Sequence, residues 1–405
     1  MTNPFEQVPL DQLRQRTSIK WRFFEPDVLP MWVAEMDVLP AEAITRAVHD
    51  AMLRGDTGYA HGTGYAEAFA RFASDRWGAE VHVPRTALVS DVMMGVFELI
   101  RMLTPPDGAV IVTSPVYPPF HAYTAHAGRR IVEAPLGADL RLDLESIADA
   151  CSRVTKAGRG GAGSGGARAG APGGAVLLLC NPHNPTGTVH TRAELEAVAE
   201  IAARHGVRVI SDEIHAPLLF DAEFTPYWSV DPRGLSVTSA SKTWNLAGLR
   251  TALIVGGDET AADLASMAEV VSHGPAHLAV IAHVAAFDDG REWLDDVLAG
   301  LRTNRAVLRR ALDEHAPSIA WRPGEATFLA WLDCSGTRVA DPASRADAGY
   351  VGLSTGPAKA FLEQARVGLN AGEAFGAGGE NHVRFNLGTR PDVIEEAVRR
   401  MGEVA

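Results

Sequence analysis

Lysine is nearly missing from this chain. Its 405 residues contain 37 lysines and arginines together, and only Lys20, Lys156, Lys242 and Lys359 are lysines. Arginine meets the remaining need for positive charge, so a retained lysine raises the question of what a guanidinium could not do there. Cysteine is scarce too. Cys151, Cys180 and Cys334 are too few and too scattered for a disulfide framework or a zinc ribbon, and buried or incidental thiols in a reducing compartment account for them. Cationic charge is short overall: 50 acidic residues leave a net charge of −13. That excludes a phosphate-tracking surface, which needs clustered Lys and Arg, so no nucleic-acid partner is expected. No apolar run reaches the roughly 20 residues of a membrane span. The opening MTNPFEQVPLDQLRQRTS lacks a signal peptide's apolar core, so a cytoplasmic protein with no membrane contact is expected.

Apolar residues make up 46% and charged residues 21%, a globular balance over a length that suits one large domain with a satellite. Short β-branched runs alternate with amphipathic stretches. TALVS (86–90), AVIVT (109–113), RIVEAPL (130–136), AVLLLC (175–180), VRVIS (207–211), LSVTSA (235–240) and TALIVGG (251–257) read as strands. In DVMMGVFELIRML, Val92, Val96, Leu99, Ile100 and Leu103 share one helical face. RAELEAVAEIAARHG reads as a helix closed by glycine. This alternation predicts an α/β fold: a large domain whose mostly parallel sheet is covered by helices. From 291 a long helix, REWLDDVLAGLRTNRAVLRRALDEH, leads into shorter strand candidates, SIAWRP, TFLAWLD and VRFNL, as in a smaller α+β domain. The expected division is an N-terminal segment 1–48 joining the small domain, a large domain 49–288 and a small C-terminal domain 289–405. Residues 156–174, rich in glycine, read as a flexible surface excursion. Their G-x-G-x-x-G at Gly158, Gly160 and Gly163 is no dinucleotide fingerprint, since no strand feeds it and no helix follows.

Three stretches carry chemistry. In TSASKTWNLAGLR (238–250), Lys242 follows a predicted central strand, where open α/β sheets place ligands. An exposed loop lysine is the plain alternative. However, a desolvated ammonium can lose its proton and condense with a carbonyl, whereas a guanidinium cannot, which suggests a Schiff base. Asp212 in VRVISDEIH ends a buried strand, either as a helix N-cap or as the partner of a cationic ring nitrogen. CNPHNPTG (180–187) is a rigid turn whose side-chain amides could face a ligand, or simply a tight strand exit.

In this order, NPHNPTG, SDEIH and SASKTWNLAGLR resemble the signature of the pyridoxal-phosphate enzymes of the aspartate aminotransferase superfamily. The likeness runs along nearly the whole chain outside the glycine-rich insert. It implies pyridoxal 5′-phosphate as cofactor, with Lys242 holding it covalently and later moving the substrate's α-proton. Asp212 would pair with the ring nitrogen, Asn184 with the phenolic oxygen, and Ser239 and Arg250 with the phosphate. Tyr117 in SPVYPPF corresponds to the ring-stacking aromatic. Tyr59 in TGYAHGTGY corresponds to a tyrosine that serves the neighbouring subunit's phosphate, which implies a homodimer with interfacial active sites. Arg384 in HVRFNLGTR corresponds to the fork for the substrate carboxylate. Near the helix start, the amides of Val92 and Met93 are expected to cradle the phosphate, with Asp91 turned away as an N-cap.

VLPMWVAEMDV (28–38), GYAHG (58–62), SDEIH, SKTWNLAGL and EATFLAWLDC (325–334) are similar to the cystathionine β-lyase, or C–S lyase, branch related to the maltose-regulon modulator protein. His215 stands where many aminotransferases have tyrosine, and Trp32 is expected in the substrate cleft. Glu35 and Val38 depart from that branch's aspartate and aromatic, as do Ala216 and Pro217 from its acidic position after DEIH. The resemblance implies β-elimination on a sulfur amino acid. An aminotransferase, or a regulatory protein that binds a transcription activator, are the alternatives.

Overall fold

A computed structural model describes residues 3–160, 174–340 and 355–405. Strand β1 (Leu29–Pro30) lies in the N-terminal segment. The central sheet follows: β2 (Thr86–Val89), β3 (Ala109–Val112), β4 (Arg130–Glu133), β5 (Ala175–Cys180), β6 (Arg208–Asp212), β7 (Leu235–Thr238) and β8 (Ala252–Gly256). Its spatial order is β2-β8-β7-β6-β5-β3-β4, and β8 alone runs antiparallel to its neighbours. Every strand run expected from the sequence is present, and the sheet is mostly parallel.

Alternate residues of the strands divide between two cores. Val110, Val112, Val176, Leu178 and Ile210 face the helix Val92–Leu103. Ile111, Leu177, Leu179 and Val209 face the helices Leu144–Gly160 and Arg192–His205. The five apolar positions picked out on the Val92–Leu103 helix are all buried, as a two-faced parallel sheet requires. Gly95 lets this helix sit directly on the sheet: a Cβ there would come within 3.0 Å of Val89 and 3.2 Å of Val237. Arg192–His205 starts at a Thr191/Glu194 capping box and ends at Gly206, whose φ of 67° suits glycine.

The helix Arg291–His315 leads into the second sheet. Its strands are β9 (Ala320–Trp321), β10 (Leu329–Asp333), β12 (Asn370–Ala371) and β13 (His382–Asn386), ordered β12-β13-β10-β9, with β11 (Val367–Gly368) paired to β1 instead. That pairing, and Phe5 packed beside Gly300, tie the N-terminal segment to the C-terminal half. The division at 48/49 expected from the sequence falls inside one continuous helix, Glu42–Arg54. The first five residues of the expected glycine-rich excursion belong instead to the helix Leu144–Gly160. Residues 161–173, where the rest of that expectation and Gly163 fall, lie outside the described ones. No helix among the described residues is long and apolar enough to cross a membrane.

Candidate active site

The parallel strands deliver their C-terminal ends to one edge, and there a cleft of about 340 Å³ opens toward the small domain's sheet. Asp212 is the last residue of β6, Cys180 the last of β5, and Lys242 follows β7 by four residues. Lining this cleft are Lys242, Asp212, His215, Asn184, Tyr117, Trp32, Val92, Met93, Arg250 and Arg384. The sequence reading named all ten. Their convergence, across more than 350 positions of chain, is a product of the fold alone.

Burial tunes the ionisable members. Loss of water, reinforced by the Arg384 charge, pulls the Lys242 amine down from 10.5 to about 8. The amine faces the cleft and donates to the Ala34 carbonyl at 3.1 Å. Desolvation lifts Asp212 from 3.8 to about 7, opposed by the Ile214 N–H and by Lys242. Its Oδ1 accepts that N–H at 3.1 Å. His215 is held neutral, its value lowered to about 3 by burial, and its Nδ1 has no hydrogen-bond partner among the described residues.

Arg384, on β13, is 5% exposed and forms no ion pair among the described residues. Its guanidinium donates to Asn184 Oδ1 (3.1 Å), the Trp32 carbonyl (3.1 Å) and Asn370 Oδ1 (2.8 Å). It also lies 5.3 Å from the Phe375 ring, while Nε remains without a partner among the described residues. A buried guanidinium held only by neutral groups is built for an incoming carboxylate. In the Asn-Pro-rich turn the two amides part company. Asn181 accepts from the His190 N–H at 3.1 Å and donates to the Thr225 carbonyl at 3.4 Å, whereas Asn184 reaches the cleft.

Two expectations need correction. Ser239 does not line the cleft: its hydroxyl donates to the Thr251 carbonyl at 2.8 Å and accepts the Ser241 N–H at 3.2 Å. Ser241 lines the cleft instead. Asp91 does cap its helix, accepting the Met94 N–H at 2.9 Å, but it is not turned away, because it lines the cleft and its other oxygen holds Arg250. Tyr59, expected at the neighbouring subunit's site, lies outside its own chain's cleft, 91% exposed and beside Ala276. The sequence reading also missed several residues. Asn370 meets Arg384 only through the β12–β13 register, and Phe375 and the Ala34 carbonyl likewise enter by tertiary contact. Tyr123 had a local signal, since it falls one helical turn after Pro119 on the helix Pro119–His126 and both line the cleft. Thr251, 1% exposed, also lines it, and its Oγ1 has no partner among the described residues.

The fold is of the aspartate-aminotransferase type, and the chain belongs to the aminotransferase class I and II family, which it matches over residues 26–401. Within that family it is similar to a "Putative cystathionine beta-lyase" of Mycobacterium leprae, 50% identical over 99% of this chain and 98% of the relative. The cystathionine beta-lyase of Corynebacterium glutamicum is 32% identical over 98% of each. The crystal structure of a "putative plp-dependent beta-cystathionase" from Corynebacterium diphtheriae has a TM-score of 0.83 at 30% identity, covering 98% of both chains.

Proposed function

We propose that this protein is a pyridoxal-phosphate-dependent carbon–sulfur lyase that cleaves the Cβ–S bond of a sulfur-containing amino acid. The products are a thiol or homocysteine, with pyruvate and ammonia. One observation carries the reading. Lys242, its amine lowered to about 8, shares a cleft with buried Asp212 and with the carboxylate-free Arg384, in a chain 50% and 32% identical to proteins named as cystathionine β-lyases.

The residues fit the cofactor. Asp212 is a buried carboxylate lifted to about 7, a site that gains from a cationic ring nitrogen. At the helix start, the N–H groups of Val92 and Met93 have no intrahelical acceptor, and Thr251 Oγ1 has no partner among the described residues. Asn184 Oδ1 accepts from Arg384, which leaves the amide N–H donors of Asn184 turned the other way. Tyr117 supplies an aromatic face at the cleft wall. Ser239 contributes by holding Ser241 through its N–H.

Bound pyridoxal phosphate supplies an aldehyde for amines and a ring that takes up charge from the α-carbon. Arg384 grips the substrate's α-carboxylate with its fork and so orients the Cα–H bond. Lys242, with a value of about 8, is substantially neutral near neutral pH and takes the α-proton. Asp212 would pair with the cofactor's ring nitrogen and favour its protonated form. The sulfur departs with the electron pair of the Cβ–S bond, and water completes the balance to pyruvate and ammonia. His215, held neutral by burial, adds no positive charge of its own to the cleft.

Purified protein given L-cystathionine is expected to form pyruvate and homocysteine without any 2-oxo acid. A requirement for a 2-oxo acid, with one-for-one conversion of cofactor by amino acid alone, would make it an aminotransferase. The same reading makes the protein a homodimer. Tyr59, 91% exposed and set away from its own cleft, suits service to a partner's site. Mixing Tyr59→Phe with Lys242→Ala should restore activity that neither has alone. Three free, buried cysteines support a cytoplasmic setting.

A further inference from the structure

The end of the cleft suited to an anion contains an acid. Asp91 stands at the N-terminus of the Val92–Leu103 helix and lines the cleft. Its Oδ1 is committed to the Met94 N–H at 2.9 Å. Its Oδ2 is held by Arg250 Nη2, and Tyr123 lines the same cleft. Asp91 is 17% exposed and Arg250 is 63% exposed, so the arginine is the partner free to swing. Around them stand donors with room for an anion: the first-turn amides of Val92 and Met93, and Thr251 Oγ1, buried at 1% exposure and without a partner among the described residues. The arginine that should meet a phosphate therefore has its charge already matched by a carboxylate on the same wall.

We infer that Asp91 is an internal competitor for the cofactor's phosphate, one that weakens its hold and sets how readily the cofactor exchanges with a free pool. The inference rests on the cofactor reading above. The physical reason is charge. A phosphate dianion seated at the helix start meets the Asp91 carboxylate within a few ångströms in a partly dehydrated site, where like charges repel far more than in water. It must also draw Arg250 off Asp91, exchanging one ion pair for another rather than gaining a new one. An uncharged cap would keep the helix dipole and the amides while leaving Arg250 wholly to the phosphate. Asp91 thus acts on binding through Arg250 and through space, as a positioning residue, with no part in the proton transfer at the α-carbon.

Asp91→Asn is the decisive change, since asparagine caps a helix as well as aspartate does. Apoprotein is titrated with pyridoxal phosphate, with pyridoxal, and with inorganic phosphate in competition, following absorbance and tryptophan fluorescence. Asp91→Asn is expected to tighten pyridoxal phosphate and inorganic phosphate by about tenfold or more, and to change pyridoxal, which lacks the phosphate, by less than about twofold. Asp91→Ser, a second good cap, reads the same ratio should the asparagine variant fold poorly. A merely structural role would weaken all three ligands together, and unchanged or weaker phosphate binding with pyridoxal unaffected overturns the inference alone. If neither aldehyde binds wild type, the cofactor reading itself fails and this inference falls with it.

Discussion

Lys20 Nζ lies 2.7 Å from Asp37 Oδ2, and both side chains are only 1% exposed. The pair is an anchor for the segment between them and the cleft. Lys20 also donates to the Glu35 carbonyl at 3.2 Å, and Asp37 accepts from Trp21 Nε1 at 2.9 Å. From that anchor the segment 32–36 gives its carbonyls to the site: Trp32 to Arg384, Ala34 to Lys242, and Val33 and Glu35 to Asn386. Of the chain's few lysines, these two border one strap of backbone, and at Lys20 a compact ammonium divides its protons between a carboxylate and a carbonyl. Removing Lys20 leaves the buried Asp37 charge with only the more distant Arg16 Nη1, at 3.8 Å, and Trp21 Nε1, so Lys20→Met is expected to cost up to about 3–5 kcal/mol. Replacing both, as in Lys20→Met with Asp37→Leu, should recover much of it. Urea denaturation of the wild type and the two variants checks this, and a double variant no better than the single one removes the stranded-charge explanation.

The Lys242 amine predicts how cofactor capture depends on pH. Only the neutral amine attacks an aldehyde, and its value is about 8 rather than 10.5. The rate at which apoprotein takes up pyridoxal phosphate should rise from pH 6 to about pH 9 and then level off. A rise still continuing beyond pH 10 would mean that burial has not lowered this amine. Lys242→Arg should take up none covalently, judged by absorbance and by borohydride labelling of the peptide.

Arg384→Lys tests the fork. A lysine offers no planar pair of donors and leaves the Asn184 and Asn370 oxygens to share one ammonium. The expected loss is about 10²-fold in kcat/KM, or roughly 2.7 kcal/mol, falling chiefly on KM. Cofactor absorbance should be unchanged. An equal loss for an amine substrate without a carboxylate would contradict the assignment.

Buried ionisable groups set opposing slopes in the ligand-free protein's stability. Burial holds His183 at about 4, and His215 and His283 at about 3, against an ordinary 6.5. The unfolded chain therefore binds protons first, and stability is lost as pH falls below about 6.5. Asp212 and Glu213 go the other way, lifted by burial to about 7 and about 8. The folded protein keeps their protons longer, so their contribution is lost as pH rises toward 8. Maximum stability is expected near pH 6.5, and Glu213→Gln should flatten the alkaline side. Urea midpoints between pH 5 and pH 9 measure both slopes, and a stability that climbs steadily from 6.5 to 8 would refute the carboxylate half.

Much of this was legible without coordinates because it is written locally. Strand runs such as AVLLLC declare themselves by apolar composition, and the Val92–Leu103 helix by its spacing. Lys242 stands out because the chain avoids lysine, and Asp212 because a carboxylate ends an apolar strand. Such signals depend on neighbours within a turn or a strand, which any reader of the chain can see.

Other features belonged to no local stretch. Asn370 became a partner of Arg384 because two short strands pair in one register. Ser239, at the right distance from Lys242 in sequence, spends its hydroxyl on Thr251 across the sheet edge, a choice set by β7 and β8 running antiparallel. Asp91 was expected as a cap and is one, yet its second oxygen meets Arg250, 159 positions away. The amino-acid order alone determined which side chains can titrate, condense or grip, and which segments become strand or helix. Only the packed chain decided which of them share a cleft, because desolvation and charge act through space, and space is assigned by long-range contact.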